Sequence, residues 1–243
     1  MMRTGRRNDE LRAVQIVRHY TGSAAGSVLY RAGRTLVLCT ASIASGVPAW
    51  REASGKGWLT CEYDMLPGST PERKARSRTK LDGRTHEIQR LIGRSLRVAV
   101  DLAALGPHTI HLDCDVLEAD GGTRTAAVTG AYVALRDALS AGREKGLWQR
   151  DPHVQPVAAV SAGVIDGEIR LDLDYSEDVA AQVDCNLVMT GGGEWVEVQA
   201  TGENATLTDA QLTQMLSVGR GGIRALLDVQ RAALAGGAAN AGR

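Results

Sequence analysis

The apolar residues of this chain repeat at two different periods, and the order in which those periods alternate is what most limits the fold. "SVLYRAG" (27–33) and "TLVLCTASIA" (35–44) pattern as two strands meeting at a glycine turn. "GWLTCEYDML" (57–66) alternates as a third strand, ended by Pro67-Gly68. From Thr85 to Leu102 the period lengthens. Ile88, Leu91, Ile92, Leu96, Ala99 and Leu102 form a helical stripe, with Arg90, Arg94, Arg97 and Asp101 on the other side. "HTIHLDCDVLEA" (108–119) returns to strand alternation, and Gly121-Gly122 turns the chain into a helix over Thr123–Ser140. "VAAVSAGVIDGEIRLDLDY" (157–175) predicts a hairpin turning at Asp166-Gly167, and "NLVMTGGGEWVEVQA" (186–200) a second hairpin. Thr208 and Gln211 have the spacing of a capping box that opens the last helix. This order predicts an α+β fold of two β-α halves meeting near residue 150, as a single domain over 1–235, with a disordered tail over 236–243.

A chain of 243 residues, 44% hydrophobic and 23% charged, can bury a core without covalent staples. That core must be aliphatic, because Phe is absent and aromatics make up only 4%. No apolar run reaches the ~20 residues of a membrane span, and "MMRTGRRNDELR" lacks the apolar stretch of a signal peptide, so the expected location is the cytoplasm. Cys39, Cys61, Cys114 and Cys185 are far apart without a C-x-x-C pair, which reads as reduced core thiols. His108 and His111 point to opposite faces of one strand and do not make a metal site.

Net charge is zero, but the charges are segregated. Between Thr70 and Val98, Lys and Arg outnumber acids nine to three; between Val164 and Asn204, ten acids face one Arg. The basic loop "GSTPERKARSRTKLDG" (68–83) belongs to the first of these segments. By itself this pattern fits two solvated surfaces as well as a binding site.

Two stretches carry possible chemistry. In "EADGGTRTAAV" a strand ends, two glycines turn the chain and a helix begins at Thr123. A helix N-terminus offers unpaired N–H groups and the positive end of its dipole, Gly121 and Gly122 let a ligand come close, and Arg124 adds a planar fork. Either an anion site or a plain helix cap beside a surface Arg would produce this pattern; the spacing of a Walker loop is absent. Arg84, in "DGRTHEIQ", stands just before a helix and could meet the same anion. The second stretch is "RLDLDYSEDVAAQVDCNLVM", where Asp172, Asp174, Glu177, Asp178 and Asp184 crowd together with only Arg170 beside them. Strand alternation over 170–175 would put Asp172 and Asp174 on one face, and a short turn would bring Asp178 near Asp184. Paired carboxylates suit Mg²⁺ or an acid and a base, although solvated strand-end acids look the same in sequence.

"RTGRRNDELR", "VLCTASI", "GWLTCEYDMLPGST", "GRTHEIQRLIGRSLRVAVDL", "LDCDVLEADGGTRTA", "EDVAAQVDCNLVM" and "GRGGI" occur in order from about residue 3 to 230. Through them the chain resembles the ribonuclease PH family of phosphate-dependent exoribonucleases, which trim the 3′ ends of transfer-RNA precursors. The resemblance implies an α+β fold of two similar β-α halves with mixed sheets, assembled as a hexameric ring. It implies that Arg84, Gly122, Thr123 and Arg124 bind phosphate and that Asp178 and Asp184 are the catalytic acids holding Mg²⁺. It also implies that Arg73, Arg76 and the N-terminal arginines handle RNA. Inorganic phosphate would then attack the last phosphodiester and release a nucleoside diphosphate, with Asp184 protonating the leaving 3′ oxygen directly or through metal-bound water. The family usually has Gly where Asp64 stands, Arg where Gly68 stands, and a Phe that "QATGENATLT" lacks. A catalytically silent RNA-binding ring subunit and a small-molecule phosphotransferase are the alternatives. The intact Asp178, Asp184 and Arg124 weigh against the first, and the missing lysine-bearing phosphate loop against the second.

Overall fold

In a computed structural model the described residues are 3, 5–75, 82–202 and 205–236. The chain runs β1 (Val14–Arg18), β2 (Gly26–Ala32), β3 (Thr35–Ser45), α1 (Ala49–Glu52), β4 (Trp58–Met65), α2 (Gly83–Arg97), α3 (Leu102–Leu105), β5 (His108–Glu118) and α4 (Thr123–Glu144). It continues with β6 (Val157–Ile165), β7 (Glu168–Leu171), α5 (Tyr175–Ala180), β8 (Val183–Thr190), β9 (Trp195–Gly202) and α6 (Asp209–Ala235). The fold is α+β.

The first sheet has the order β1-β2-β3-β5-β4 and is mixed, since β4 runs parallel to β5 and the other pairs are antiparallel. The second has the order β7-β6-β8-β9 and is antiparallel throughout. Helix α4 lies between the sheets, packing on β2 and β3 from one side and on β6 from the other. Small residues permit this approach: a Cβ on Gly130 would stand 2.9 Å from both Cys39 Sγ and Tyr30 Cβ. Helix α6 covers β6, β7 and β8. The largest fully buried side chains are all Leu or Ile, the core required of a chain without Phe. All four cysteines are buried free thiols. His108 and His111 lie three apart on β5, half-buried and exposed respectively.

Both hairpins and the Thr208–Gln211 capping box stand where the sequence puts them. Three expectations need correction. The helix expected over 85–102 stops at Arg97, because the Asp101 carboxylate accepts from the N–H groups of Ala103 and Ala104 and so starts α3. The helix expected to end at Ser140 continues to Glu144. The strand expected over 170–175 ends at Leu171: Asp172 takes a left-handed backbone (φ 54°) and Asp174 caps α5, so these two acids do not share a strand face. Arg76 and the segment 237–243 lie outside the described residues.

Candidate active site

A cleft of about 610 Å³ opens between the two sheets, and its wall contains Arg84, Gly122, Thr123, Arg124, Asp178 and Asp184. Each arrives by a different local device. Gly121 and Gly122 both have positive φ (73° and 63°), and a Cβ on Gly121 would fall 2.4 Å from the Leu173 carbonyl oxygen. The turn therefore admits only glycine there. Gly122 caps α4 without a side-chain hydrogen bond, which leaves the first N–H groups of a 22-residue helix for a ligand. Thr123 Oγ1 is 2.9 Å from Tyr63 Oη, which fixes the start of α4 to β4.

Arg124 is partly restrained. Its guanidinium donates to Glu87 Oε2 of α2 (3.3 Å) and Gln199 Oε1 of β9 (3.2 Å), and its side chain is 17% exposed. Arg84 is exposed in the first turn of α2, a helix capped by Asp82, whose carboxylate accepts from Thr85 N–H. That hydrogen bond holds the Asp82 carboxyl down at about 2. Lys74 also lines the cleft, whereas Arg73 is exposed on the same loop and is not part of the wall. Nothing in "PERKAR" distinguishes the two in advance. Ser161 and Asn186 are further wall residues that sequence reasoning missed. Asn186 was findable: on β8 it shares a face with Asp184, and its Nδ2 donates to Asp184 Oδ1 at 3.1 Å.

The five crowded acids divide into three groups. Asp178, on α5, and Asp184, at the start of β8, face the cleft. Asp174 caps α5 by accepting from Glu177 N–H. Asp172 and Glu177 turn inward to the N-terminal arginines. Arg12 Nη2 lies 2.7 Å from Asp172 Oδ1, Arg6 Nη1 lies 3.2 Å from Asp172 Oδ2, and Arg3 Nε lies 2.6 Å from Glu177 Oε1. Burial alone would push the Asp172 carboxyl up; the hydrogen bonds and charge of Arg12 outweigh it and hold the group below the usual carboxylate range. Arg3, Arg6 and Arg12 are thus built into the fold instead of lying open for RNA, while Arg7 is exposed beside Asp9. Arg12 also donates to the carbonyls of Asp120 and Gly121, so one buried guanidinium joins the glycine turn to the acid segment.

Among the described residues no three His, Cys, Asp or Glu side chains group as a metal cage. Two carboxylates in one cleft fit Mg²⁺, which keeps water and takes one or two carboxylates together with substrate phosphates.

The model of the 3′ exoribonuclease family, domain 1, matches residues 10–140, and that of domain 2 matches residues 155–222. Ribonuclease PH of Corynebacterium efficiens is 58% identical over 232 residues, 95% of each chain. Ribonuclease PH of Rhodopirellula baltica is 53% identical over 239 residues, 95% of this chain and 96% of that one. Among solved structures, rice (Oryza sativa) Rrp46 matches with a TM-score of 0.77 at 19% identity, covering 95% of this chain and 98% of that one. An Archaeoglobus fulgidus exosome with RNA bound to the active site matches at 0.78 and 21% identity, over 92% of this chain and 90% of that one. These two likenesses are of fold.

Proposed function

This chain belongs to the ribonuclease PH family of 3′ exoribonucleases, and from that premise we propose that it trims the 3′ ends of transfer-RNA precursors by phosphorolysis. The observation that carries this reading is the meeting of a cationic, helix-terminal anion site with two carboxylates in one cleft. Residues 1–235 act as a single unit, since the cleft takes its wall from both sheets.

Inorganic phosphate binds where Arg84, Arg124 and the N–H groups at Gly122 and Thr123 converge. One of its oxygens attacks the phosphorus of the last phosphodiester, in line with the departing 3′ oxygen. A new P–O bond forms, the bond to the 3′ oxygen breaks, and the terminal nucleotide leaves as a nucleoside diphosphate. Asp184 delivers the proton taken up by the leaving oxygen, directly or by way of a water. Asp178 and Asp184 would hold Mg²⁺, which when bound neutralises charge on the phosphoryl oxygens. One phosphate linkage replaces another, so nucleotide addition also runs. Arg73, with Lys74 beside it, contacts the RNA backbone, which positions RNA without reading its sequence.

The reading extends to a homo-oligomeric ring of six subunits, checked by light scattering on the purified protein. It also extends to the cytoplasm, a setting in keeping with four free thiols. Among the described residues no helix is long and apolar enough to cross a membrane. The silent ring-subunit alternative is not favoured, because the acids and the arginines it would dispense with are all in place. The test is incubation of the protein with short RNA, with and without phosphate, and identification of the released nucleotide. Nucleoside diphosphate formed only with phosphate is the expected result, and monophosphate released at full rate in phosphate-free buffer would overturn it.

A further inference from the structure

The cleft wall mixes charged and polar side chains with apolar surface, to which Met65, Tyr175 and Val179 contribute. Tyr175 and Val179 are 57% and 67% exposed, and of the large hydrophobic side chains that stand open to solvent, these two line the cleft. They are four residues apart on α5, hence on one face of the helix. The same helix carries Asp178.

A ring and a branched aliphatic side chain exposed side by side give the cleft an apolar surface that a ligand gains by covering. Nor is α5 loosely attached, which would make its outer face incidental. Asp174 and Glu177 close a capping box at its start, and Tyr175 N–H donates to Asp120 Oδ1 at 3.3 Å. Beneath it, Glu177 is locked by Arg3 and Arg170. The backbone that presents the Tyr175 ring is therefore fixed to the same turn that forms the phosphate site. Met65, on β4, adds an adaptable thioether to the wall. The cleft thus has a cationic part, an acidic part and an apolar part. A terminal nucleotide has a phosphate, a ribose and a flat base, and the phosphate is already matched.

We propose that Tyr175, backed by Val179, is the platform on which the base of the 3′-terminal nucleotide stacks while its phosphodiester is cleaved. This deepens the phosphorolysis reading and rests on it. Every base has a π-face, so a stacking platform grips any of the four without choosing among them. That suits an enzyme that must remove successive unlike nucleotides. Held by its base on one side and its phosphate on the other, the terminal nucleotide keeps the scissile bond between Arg124 and Asp184.

The test compares wild type with Tyr175→Ala on two RNAs that differ only in whether the 3′-terminal nucleotide has a base. Removing a stacked aromatic should lower kcat/KM on the base-bearing RNA about 5- to 150-fold. The abasic RNA should be poor for wild type by a similar factor, and Tyr175→Ala should cost it almost nothing more. Tyr175→Trp should restore most of the loss, because the requirement is for a flat ring and not for the hydroxyl. An equal loss on both RNAs, or no loss on the base-bearing one, would overturn the assignment. A second readout does not depend on turnover. RNA with 2-aminopurine at its 3′ end, bound in phosphate-free buffer, should be more strongly quenched by wild type than by Tyr175→Ala; equal quenching would also overturn it. Failure of the phosphorolysis reading shows separately, as wild type that releases no nucleoside diphosphate.

Discussion

Asp172→Asn is the most informative single change outside the cleft, because it removes one charge from a buried cluster and leaves its shape intact. The side chains of Asp172 and Arg12 are each only 9% exposed. The carboxylate accepts from Arg12 N–H (2.7 Å), Arg12 Nε (3.1 Å), Arg12 Nη2 (2.7 Å) and Arg6 Nη1 (3.2 Å). An amide cannot replace it: one of its two acceptor atoms becomes a donor facing guanidinium donors, and Arg12 and Arg6 each lose an ion pair, Arg6 retaining the one to Glu177. Breaking a buried pair from one side costs about 3–5 kcal/mol. At roughly 2–4 °C per kcal/mol for a chain of this size, Tm should fall by about 6–20 °C, measured by calorimetry at fixed protein concentration. The pH dependence follows from the direction of the shift. A carboxyl held below its unfolded value stabilises the fold above that value, and the contribution disappears as pH falls through the lower, folded one. Wild type should therefore lose stability on acidification below about pH 4, and Asp172→Asn should lack that component of the loss. Because Arg12 also holds the Asp120 and Gly121 carbonyls, the variant should require more phosphate for half-maximal rate. A Tm within about 2 °C of wild type would refute the reasoning, since it lies below the smallest cost expected for a broken buried pair.

Arg84→Ala and Arg124→Ala should each raise the phosphate concentration for half-maximal rate by about one to two decades, from ~1.5–3 kcal/mol per charge-assisted contact at ~1.4 kcal/mol per decade. Lys should rescue neither well, because a point charge does not reproduce the planar fork; initial rates against phosphate concentration decide this. Asp184→Asn should lower turnover by roughly 10²- to 10⁴-fold while RNA affinity by gel shift barely changes. Arg73→Ala should weaken binding of all RNAs alike and flatten the salt dependence by about one unit of log slope, and an unchanged slope would make it a solvated surface charge.

What the sequence reveals about this site, and what it hides, both have physical causes. Gly122, Thr123 and Arg124 are legible because a strand end, two glycines and a helix start are local events, and their geometry follows from neighbours in the chain. The same holds for the capping box of α6 and for Asp166-Gly167, where Asp166 has φ 51° and Gly167 φ 78°. Asp172 and Glu177 are different. Their partners Arg3, Arg6 and Arg12 are some 160 or more residues away in sequence, and no periodicity announces a contact of that range. With strand alternation as the only available rule, Asp172 and Asp174 fall on one face. The structure ends the strand at Leu171, and the left-handed backbone at Asp172 turns its side chain into the arginines. This also explains how five carboxylates tolerate one another over so short a stretch. Asp172 and Glu177 are neutralised from below, Asp174 is engaged by helix N–H groups, and Asp178 and Asp184 line the cleft. The repulsion that makes the stretch look unstable in sequence is thereby relieved, since Asp172, Asp174 and Glu177 are each engaged by groups of the fold itself. An N-terminal segment that looks like a free basic arm is, in the fold, the counter-charge that makes the acidic end of the site possible.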